Sequence, residues 1–301
     1  MIIPPFLKKG DTVAIVVTAR WFLKADLQKS IELIQSWGLK VKLGASIDKK
    51  HHIFGGNDSL RAKDLMDQIK DPQVKAIWCA RGGYGSVRLL KHIDQSLFKK
   101  YPKWLIGYSD VTVLHQVVQY QGIVSLHAIM PYDLYVRTAI SELSKQTLKM
   151  ALFGQELRYE FESSVCSIDG QAEGRLIGGN LSILSTLDRL IIPFEGHWIL
   201  FIEEIDEYLY HIDRMLYKFS LQGVFEKLSG VVIGGMTSIK DNAEPFGQSL
   251  EEVIVSHFKS HLIPVAFGFK AGHLNDNLAL KLGGQVSLKV RGTDSELCFL
   301  N

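Results

Sequence analysis

The sequence is poor in cysteine, and its cysteines form no recognisable pattern. Cys79, Cys166 and Cys298 lie far apart in the 301-residue chain, with no CxxC pair and no even-numbered set. A disulfide framework of the secreted type is thereby excluded, and a reducing compartment is favoured. The first residues, MIIPPFLKKGDTVAIVV, lack the basic region of a signal peptide, and their apolar run is too short to span a bilayer. We therefore expect a mature cytoplasmic protein that does not insert into a membrane.

The chain also lacks an excess of one charge and a metal-binding motif. Lys and Arg total 34 against 32 for Asp and Glu, without a dense basic stripe, so nucleic acid is not an expected partner. No HExxH motif, Cys/His cluster or suitable carboxylate-histidine spacing is present, so we expect no metal site. Hydrophobic residues make up 47% and charged residues 22%, which is typical of a folded globular enzyme.

The first half of the chain alternates short apolar runs with segments of helical period. The predicted strands are the runs Thr12 to Val17, Leu39 to Leu43, Val74 to Cys79 and Trp104 to Ile106. Strands that alternate with helices in this way predict an α/β fold with a mostly parallel sheet covered by helices.

The pattern becomes less regular after residue 140, and we place a domain boundary there. The predicted division is an N-terminal domain over residues 1–140, a linker over 141–172 and a C-terminal domain over 173–301. The last part combines apolar strands, amphipathic helices and a final stretch typical of antiparallel strands. A mixed α/β domain is therefore predicted for the C-terminal part.

The segment WLIGYSDVTVLHQVVQY predicts a strand, a sharp turn at Ser109 and an amphipathic helix. This is the context of a nucleophile elbow, which presents a serine hydroxyl at the carboxyl edge of a sheet, beside backbone N–H groups that stabilise an oxyanion. The usual glycine two residues after the serine is replaced by Val111. A Ser-Asp pair at a helix start is also a common N-cap, so the segment alone leaves both interpretations open.

A second glycine-rich turn, RGGYG, follows the predicted strand that ends at Cys79. Gly82 and Gly83 allow main-chain N–H groups to approach an anion closely, as in an oxyanion hole or a phosphate cradle. A tight turn packed against the sheet is the alternative, and the spacing does not fit the GxGxxG pattern of a nucleotide site. Arg81 is a candidate partner for a substrate carboxylate, or else for a salt bridge at the sheet edge.

Acidic and imidazole groups follow two strands of the second half. The first of these strands ends in Glu203 and Glu204, and His273 lies in a polar loop after a later strand. Neighbouring side chains of a strand point to opposite sides, so only one of the two acids can face the imidazole. The alternative is that the acids are solvated or pair with Arg214 or Lys218.

A nucleophile, an acid and an imidazole thus each lie just beyond an apolar strand, in the order Ser109, Glu203, His273. The same order occurs in α/β-hydrolases. A serine hydroxyl needs an imidazole to take its proton, and a carboxylate must fix the tautomer of that imidazole. His115 and His127 are the competing histidines because they lie close to Ser109 in sequence.

Several segments together resemble the LD-carboxypeptidase family of serine peptidases. They are FGGNDSLRAKDLMDQIKDPQVKAIWCARGGYGSVRLL, IGYSDVTVLH, GGNLSILSTL, ILFIEEIDEYLYHIDRML and AGHLNDN. The resemblance covers roughly Thr12 to Gln285. It implies a Rossmann-like N-terminal domain, a C-terminal domain of the swivelling type, a homodimer, and no metal or cofactor.

The resemblance also implies roles for individual residues. It assigns the triad Ser109, Glu203 and His273, and backbone oxyanion donors at Asp110 and at Gly82 or Gly83. The chain departs from the family pattern at residues 18–20 (TAR), 128–129 (AI) and 188–194 (DRLIIPF). We expect these differences to lie at or near the cleft and to affect substrate choice.

The leading hypothesis is hydrolysis of the bond between a diamino acid and the terminal D-Ala of a murein tetrapeptide, during cell-wall recycling. The alternative within the family is the microcin-immunity reaction, which cleaves an aminoacyl nucleotide. The absence of a long insertion between the domains favours the first. The rival of another class is a non-catalytic protein that binds a small anion at RGGYG.

Overall fold

A computed structural model describes residues 1–136, 140–187 and 196–300. The chain divides into two compact units. Unit 1 comprises Met1–Gln155 and Asn275–Lys281, and unit 2 comprises Glu156–Leu274 and Leu282–Asn301. Within the described residues, no helix is both long and apolar enough to cross a membrane.

The bounds of the regular elements follow the alternation of apolar runs and helical segments. The β-strands are β1 (Thr12–Val16), β2 (Lys40–Leu43), β3 (Val74–Cys79), β4 (Trp104–Gly107), β5 (Ser125–His127), β6 (Arg158–Glu162), β7 (Gly170–Asn180), β8 (Trp198–Ile205), β9 (Leu228–Thr237), β10 (Val265–Ala266), β11 (Leu280–Leu282), β12 (Gln285–Arg291) and β13 (Asp294–Phe299). The α-helices are α1 (Gln28–Ser36), α2 (Asp58–Lys70), α3 (Ser86–Leu89), α4 (Ser96–Lys100), α5 (Thr112–Tyr120), α6 (Pro131–Val136), α7 (Glu142–Leu152), α8 (Leu181–Thr186), α9 (Leu209–Leu221) and α10 (Leu250–Ser256).

Unit 1 is built on a sheet with the strand order β11-β5-β4-β3-β1-β2. The pairs β1 with β2, β1 with β3, β3 with β4 and β4 with β5 are all parallel. The predicted Rossmann-like, mostly parallel sheet is therefore confirmed. Parallel strands bring their carboxyl ends to one edge of the sheet, where loops of α/β proteins form binding sites.

The strands of unit 1 are apolar because helices cover the sheet. The central strand β3 and its neighbour β4 are almost wholly buried, as expected for parallel strands covered on both faces. Helix α2 begins where the Asn57 side chain accepts a hydrogen bond from the Leu60 amide at 2.8 Å, a typical N-cap. Its apolar face, including Leu65 and Ile69, joins the core cluster beneath β3 and β4.

Unit 1 extends further along the chain than the predicted boundary at residue 140. Helix α7, within the predicted linker, buries Leu148 and Leu152. The returning segment Asn275–Lys281 is hydrogen-bonded to this helix, because the Ala279 amide donates to Thr147 Oγ1 at 3.1 Å. Side-chain bonds between segments so distant in sequence cannot be derived from local periodicity.

Unit 2 contains a mixed sheet with the order β10-β9-β8-β7-β12-β13-β6. Strands β7 to β10 pair in parallel, whereas β12, β13 and β6 add antiparallel pairs. The predicted mixed α/β character and the antiparallel C-terminal strands are confirmed.

The strands that carry the two acids and precede the His273 loop are β8 and β10, and β8 is longer than the sequence predicts. Strand β8 continues to Ile205, so Glu203 and Glu204 lie inside the strand instead of beyond its end. Strand β10 is confined to Val265–Ala266, because Gly268 turns the chain with a φ of +82°. Acidic residues can be buried inside a strand when hydrogen-bond donors lie close to their carboxylates.

Candidate active site

Ser109 lies at a sharp turn between strand β4 and helix α5. Its backbone has a φ of +60°, a left-handed conformation that non-glycine residues rarely adopt and that persists only where the surroundings enforce it. The turn is tight because Gly107 packs on Val111, where an added Cβ would lie 2.9 Å from Val111 Cγ2. The absence of a side chain at Gly107 therefore gives Val111 room to pack against the end of strand β4.

The assigned N-cap positions around Ser109 are occupied by other residues. Ser109 is the first residue of a 3-10 turn, Ser109–Val111, whose N-cap is Tyr108. The following helix α5 has Val111 as its N-cap, without a side-chain cap hydrogen bond. The strained backbone of Ser109 instead resembles that of a nucleophile elbow.

His115 is a buried residue of helix α5 that is hydrogen-bonded to the backbone just before Ser109. Its Nε2 lies 2.9 Å from the carbonyl oxygen of Gly107, and its Nδ1 lies 2.8 Å from Ser125 Oγ. A carbonyl oxygen only accepts, so Nε2 carries the proton and Nδ1 accepts from the hydroxyl. Burial lowers the pKa of His115 to about 4. Because both of its ring nitrogens are already hydrogen-bonded to buried groups, the neutral imidazole of His115 is unsuited to act as a base.

The other competing histidine, His127, is fully buried at the end of strand β5. Its ring packs edge-on against Tyr108, with ring centroids 5.7 Å apart. Tyr108 in turn donates its hydroxyl hydrogen bond to Asp133 Oδ1 at 2.7 Å. His127 thus contributes to the packing around the elbow.

The RGGYG turn approaches the elbow through Gly82. A Cβ added to Gly82 would lie 3.2 Å from Ser109 Cβ, 3.3 Å from Ser109 Oγ and 3.5 Å from the Asp110 nitrogen. Gly83, with a φ of +102°, instead packs against Arg20, whose Cδ would lie 2.8 Å from an added Cβ. Of the two glycines that the sequence leaves as alternatives, Gly82 is the one next to Ser109.

Arg81 is half-buried beside the same turn. Its guanidinium lies over the ring of Tyr132, 4.3 Å from the ring centroid. Burial lowers the pKa of Arg81, and the nearby charge of Arg20 lowers it further, but an arginine side chain stays protonated near neutral pH. Among residues 1–136, 140–187 and 196–300, Arg81 forms no salt bridge, so the alternative of a sheet-edge ion pair is not observed.

Unit 2 contains the other part of the predicted site, the pair Glu203 and His273. Nδ1 of His273 lies 2.7 Å from Oε2 of Glu203, whose carboxylate is fully buried. An ionised carboxylate accepts only, so Nδ1 donates, and the proton-free nitrogen of a neutral imidazole is then Nε2. This is the tautomer that a general base of the serine-hydrolase type requires.

Two glycine positions allow the His273 loop to reach Glu203. Gly272 has a φ of +106°, and an added Cβ would lie 2.6 Å from Glu203 Oε2. In strand β9, a Cβ added to Gly235 would lie 2.7 Å from Leu274 Cγ, and the Gly235 amide donates to the Ala271 carbonyl at 2.8 Å. Sequence reasoning did not single out Gly272, although a glycine directly before a candidate histidine is a signal for close backbone approach.

Glu204 points to the opposite side of strand β8. Its carboxylate accepts from Asn180 Nδ2 at 2.9 Å and from the Ser182 amide at 2.6 Å. Burial raises the pKa of Glu204, whereas these hydrogen bonds oppose that rise. Glu204 therefore anchors the start of helix α8. The alternative in which the acids pair with Arg214 or Lys218 is not observed among the described residues, where the Lys218 ammonium donates to the Ser185 carbonyl.

Two further predictions concern metal ligands and the departures from the family pattern. Within the described parts of the chain, no group of three or more His, Cys, Asp or Glu side chains is arranged to hold a metal ion. Residues 18–20 lie at the carboxyl end of strand β1, beside RGGYG, whereas residues 188–194 fall outside the described residues.

Gly272→Ala should lower kcat by about 10- to 100-fold, because displacement of a reacting group by about 1 Å has effects of this size. The new Cβ would collide with Glu203 and move the acid or His273. Gly247→Ala is the matched control, since Gly247 has a φ of +84° with nothing within 4 Å of an added Cβ. Steady-state rates and melting temperatures are measured for both variants. Equal kcat values for Gly272→Ala and Gly247→Ala would show that the close approach of Gly272 to Glu203 does not matter for turnover.

Comparisons with known proteins agree with the sequence resemblance. The LD-carboxypeptidase N-terminal domain matches residues 13–128, and the LD-carboxypeptidase C-terminal domain matches residues 173–288. The chain is 34% identical to the probable murein peptide carboxypeptidase of Bacillus subtilis (strain 168), over 95% of this chain and 91% of that protein.

Two other similar proteins are a solved structure and a sequence relative. A crystal structure of muramoyltetrapeptide carboxypeptidase from Oxalobacter formigenes matches with a TM-score of 0.88 and 29% identity, over 96% of this chain and 99% of that chain. The Microcin C7 self-immunity protein MccF of Escherichia coli is 24% identical, over 94% of this chain and 91% of that protein.

Proposed function

Because the chain belongs to the LD-carboxypeptidase family, we propose that it is a serine carboxypeptidase that removes the terminal D-Ala from murein tetrapeptides. The observation that carries the proposal is the left-handed backbone of Ser109 beside Gly82. The serine lies between a parallel strand and a helix, next to the backbone of a glycine-rich turn, and this combination is the context of a nucleophile elbow. The murein peptide carboxypeptidases among the relatives support the substrate class.

In the proposed mechanism, Ser109 Oγ attacks the carbonyl carbon of the diamino acid that precedes D-Ala. Nε2 of His273 takes the hydroxyl proton and then gives it to the leaving amine of D-Ala. Water hydrolyses the resulting acyl-enzyme ester, again with His273 as the base. Glu203 holds Nδ1–H and stabilises the imidazolium that forms in each step.

The tetrahedral intermediates carry a negative oxygen that needs hydrogen-bond donors. We assign the backbone N–H groups of Asp110 and Gly82 to this role, because Gly82 lies against both Ser109 and the Asp110 nitrogen. Gly83 becomes the less favoured donor, since a Cβ added there would meet the side chain of Arg20 and not Ser109. One such donor typically contributes about 100- to 1000-fold to kcat.

The leaving D-Ala carries a carboxylate, and Arg81 is the proposed partner. Arg81→Lys keeps a positive charge but loses the planar pair of donors. We expect a KM increase of about tenfold, which corresponds to about 1.4 kcal/mol of lost binding. Arg158→Lys, at an exposed ion pair with Glu296, is the control. If Arg81→Lys left both KM and kcat unchanged, the proposed role of Arg81 in binding the substrate carboxylate would be refuted.

The substrate is tested by incubating the purified protein with murein tetrapeptides and measuring free D-Ala and tripeptide. The proposal predicts stoichiometric release of both products, without cleavage of other bonds. Absence of D-Ala release by a folded protein would refute this specificity. A role in murein recycling in the cytoplasm is proposed on the same grounds, and a homodimer is proposed from the family resemblance.

The microcin-immunity reaction is the second candidate, and the similarity to MccF favours it. Both reactions use the same acyl-enzyme chemistry, and they differ in the acyl group that is transferred to Ser109 and in the leaving group. Competition between a murein tetrapeptide and an aminoacyl sulfamoyl adenosine decides between them by the ratio of kcat/KM values. Tight binding of either compound without turnover would instead support the non-catalytic anion-binding alternative.

A further inference from the structure

A single peptide group at the end of the RGGYG turn is held from both sides by buried charged side chains. The carbonyl of Gly85 accepts a hydrogen bond from Arg61 Nη1 at 3.1 Å. The N–H of the same peptide group belongs to Ser86 and donates to Asp110 Oδ2 at 2.8 Å. Hydrogen bonds to charged groups are stronger than those between neutral groups, so the orientation of this peptide plane is strongly fixed.

Arg61 reaches the turn from helix α2 and is completely buried. Its Nη1 also donates to the Thr18 carbonyl, and its Nη2 forms an ion pair with Asp58. Burial lowers the pKa of Arg61, whereas Asp58 opposes that effect. A buried charge requires such a set of partners. Because these partners include the carbonyls of Thr18 and Gly85, Arg61 connects the loops that follow strands β1 and β3.

The conformation of Gly85 is adapted to this arginine. Gly85 has a φ of +141°, and an added Cβ would lie 2.8 Å from Arg61 Nη1 and 3.0 Å from a ring carbon of Phe54. The guanidinium carbon of Arg61 lies 4.9 Å from the centroid of the same ring. The last glycine of RGGYG is thus required by the close approach of Arg61.

Asp110 connects the turn to the elbow because it directly follows Ser109. Its side chain is 1% exposed, and burial raises its pKa, while hydrogen bonds from Ser86 and the charge of Arg61 oppose that rise. One residue therefore offers its main-chain N–H beside Ser109 and binds the RGGYG turn through its carboxylate.

We propose that Arg61 and Asp110 are positioning residues that clamp the Gly85–Ser86 peptide and thereby hold Gly82 beside Ser109. The clamp acts through the side chains of Arg61 and Asp110, which hold the turn, and its effect on turnover rests on the proposed function. Oxyanion donors act only within a narrow range of distance and direction. Loss of the clamp should therefore reduce reactivity at Ser109 in a protein that remains folded.

The test uses Arg61→Ala, Asp110→Ala and Asp110→Asn in the full-length protein. Lys103→Met is the matched control, because Lys103 is also a partly buried cation that donates to two carbonyls, those of Gln68 and Asp71. Lys103 precedes strand β4 and so lies at the opposite, amino edge of the sheet. Melting temperatures establish the fraction folded for every variant before any rate is compared.

Two readouts are measured on each variant. The first is the rate constant for modification of Ser109 by a fluorophosphonate, together with kcat for D-Ala release. The second is hydrogen–deuterium exchange of peptides that contain residues 81–86, which requires no substrate. We expect Arg61→Ala and Asp110→Ala to lower both rates by about 10- to 100-fold and to accelerate exchange in residues 81–86. Asp110→Asn, which keeps an acceptor oxygen, should fall between Asp110→Ala and the wild type.

Guanidinium ion supplied in solution should partly restore the labelling rate of Arg61→Ala but not change that of Lys103→Met. Wild-type exchange and labelling rates in folded Asp110→Ala would overturn the clamp, even if Arg61→Ala failed to fold. Faster exchange without any D-Ala release by the wild type would leave the clamp intact and refute the proposed substrate instead.

Discussion

Ser109→Ala should fold normally and lose about three or more orders of magnitude in kcat, as expected when a triad nucleophile is removed. Alanine keeps the Cβ that packs near Gly82 and removes only Oγ. Residual turnover would come from binding and from the oxyanion donors, which remain in place. Initial rates of D-Ala release and circular dichroism spectra test the two parts of the prediction.

Ser36→Ala is a suitable control for Ser109→Ala, since Ser36 is an exposed residue at the end of helix α1 whose hydroxyl donates to the Leu33 carbonyl. A second variant, Ser109→Gly, should be equally inactive but at least as stable as Ser109→Ala, because glycine tolerates a positive φ. Near-wild-type turnover by folded Ser109→Ala would show that the elbow serves another purpose.

Glu203→Gln should lower kcat by several orders of magnitude and leave the fold intact. The amide cannot stabilise an imidazolium, and its NH2 group favours the wrong tautomer of His273. A comparable Asp-to-Asn change in a serine protease triad reduces kcat by about 10,000-fold. The decrease should persist at every pH at which the protein is folded, which is checked by kcat measurements across a pH series.

Glu204→Gln should mainly lower the stability of the protein and should have only a small effect on kcat. The Glu204 carboxylate accepts hydrogen bonds from Asn180, from the Ser182 amide and from the Ile205 amide. An amide NH2 placed against one of these donors leaves a buried group unsatisfied, which costs about 1–3 kcal/mol. We expect a lower melting temperature with kcat within about tenfold of the wild type. If Glu204→Gln instead abolished turnover while Glu203→Gln did not, with both variants folded, the triad acid would be Glu204.

Much of the fold follows from local patterns in the sequence. Strand β3 has the predicted bounds, Val74–Cys79, because a continuous apolar run between polar segments fixes a buried parallel strand. The side-chain alternation of strands separates Glu203 from Glu204, and the structure orients the two carboxylates as that alternation predicts.

Other features depend on contacts between distant residues. The extension of β8 through two glutamates relies on Asn180, Ser182 and His273, which lie far from the strand in sequence. The complete burial of Arg61 within the polar segment SLRAKDL reflects partners supplied by Thr18 and Gly85. Hydrophobic periodicity carries no information about such polar partners, so sequence reasoning did not identify the clamp.

The central claim is that Ser109 is a nucleophile activated by the His273–Glu203 pair. Active-site labelling with a phosphonate that carries a D-alanine-like leaving group, followed by peptide mapping, tests it most directly. The account predicts one covalent adduct, on Ser109, that forms far more slowly in His273→Ala and Glu203→Gln and at the wild-type rate in Ser36→Ala. Turnover of the tetrapeptide by a protein in which Ser109 is never modified, or an adduct on another residue that abolishes turnover, would contradict it.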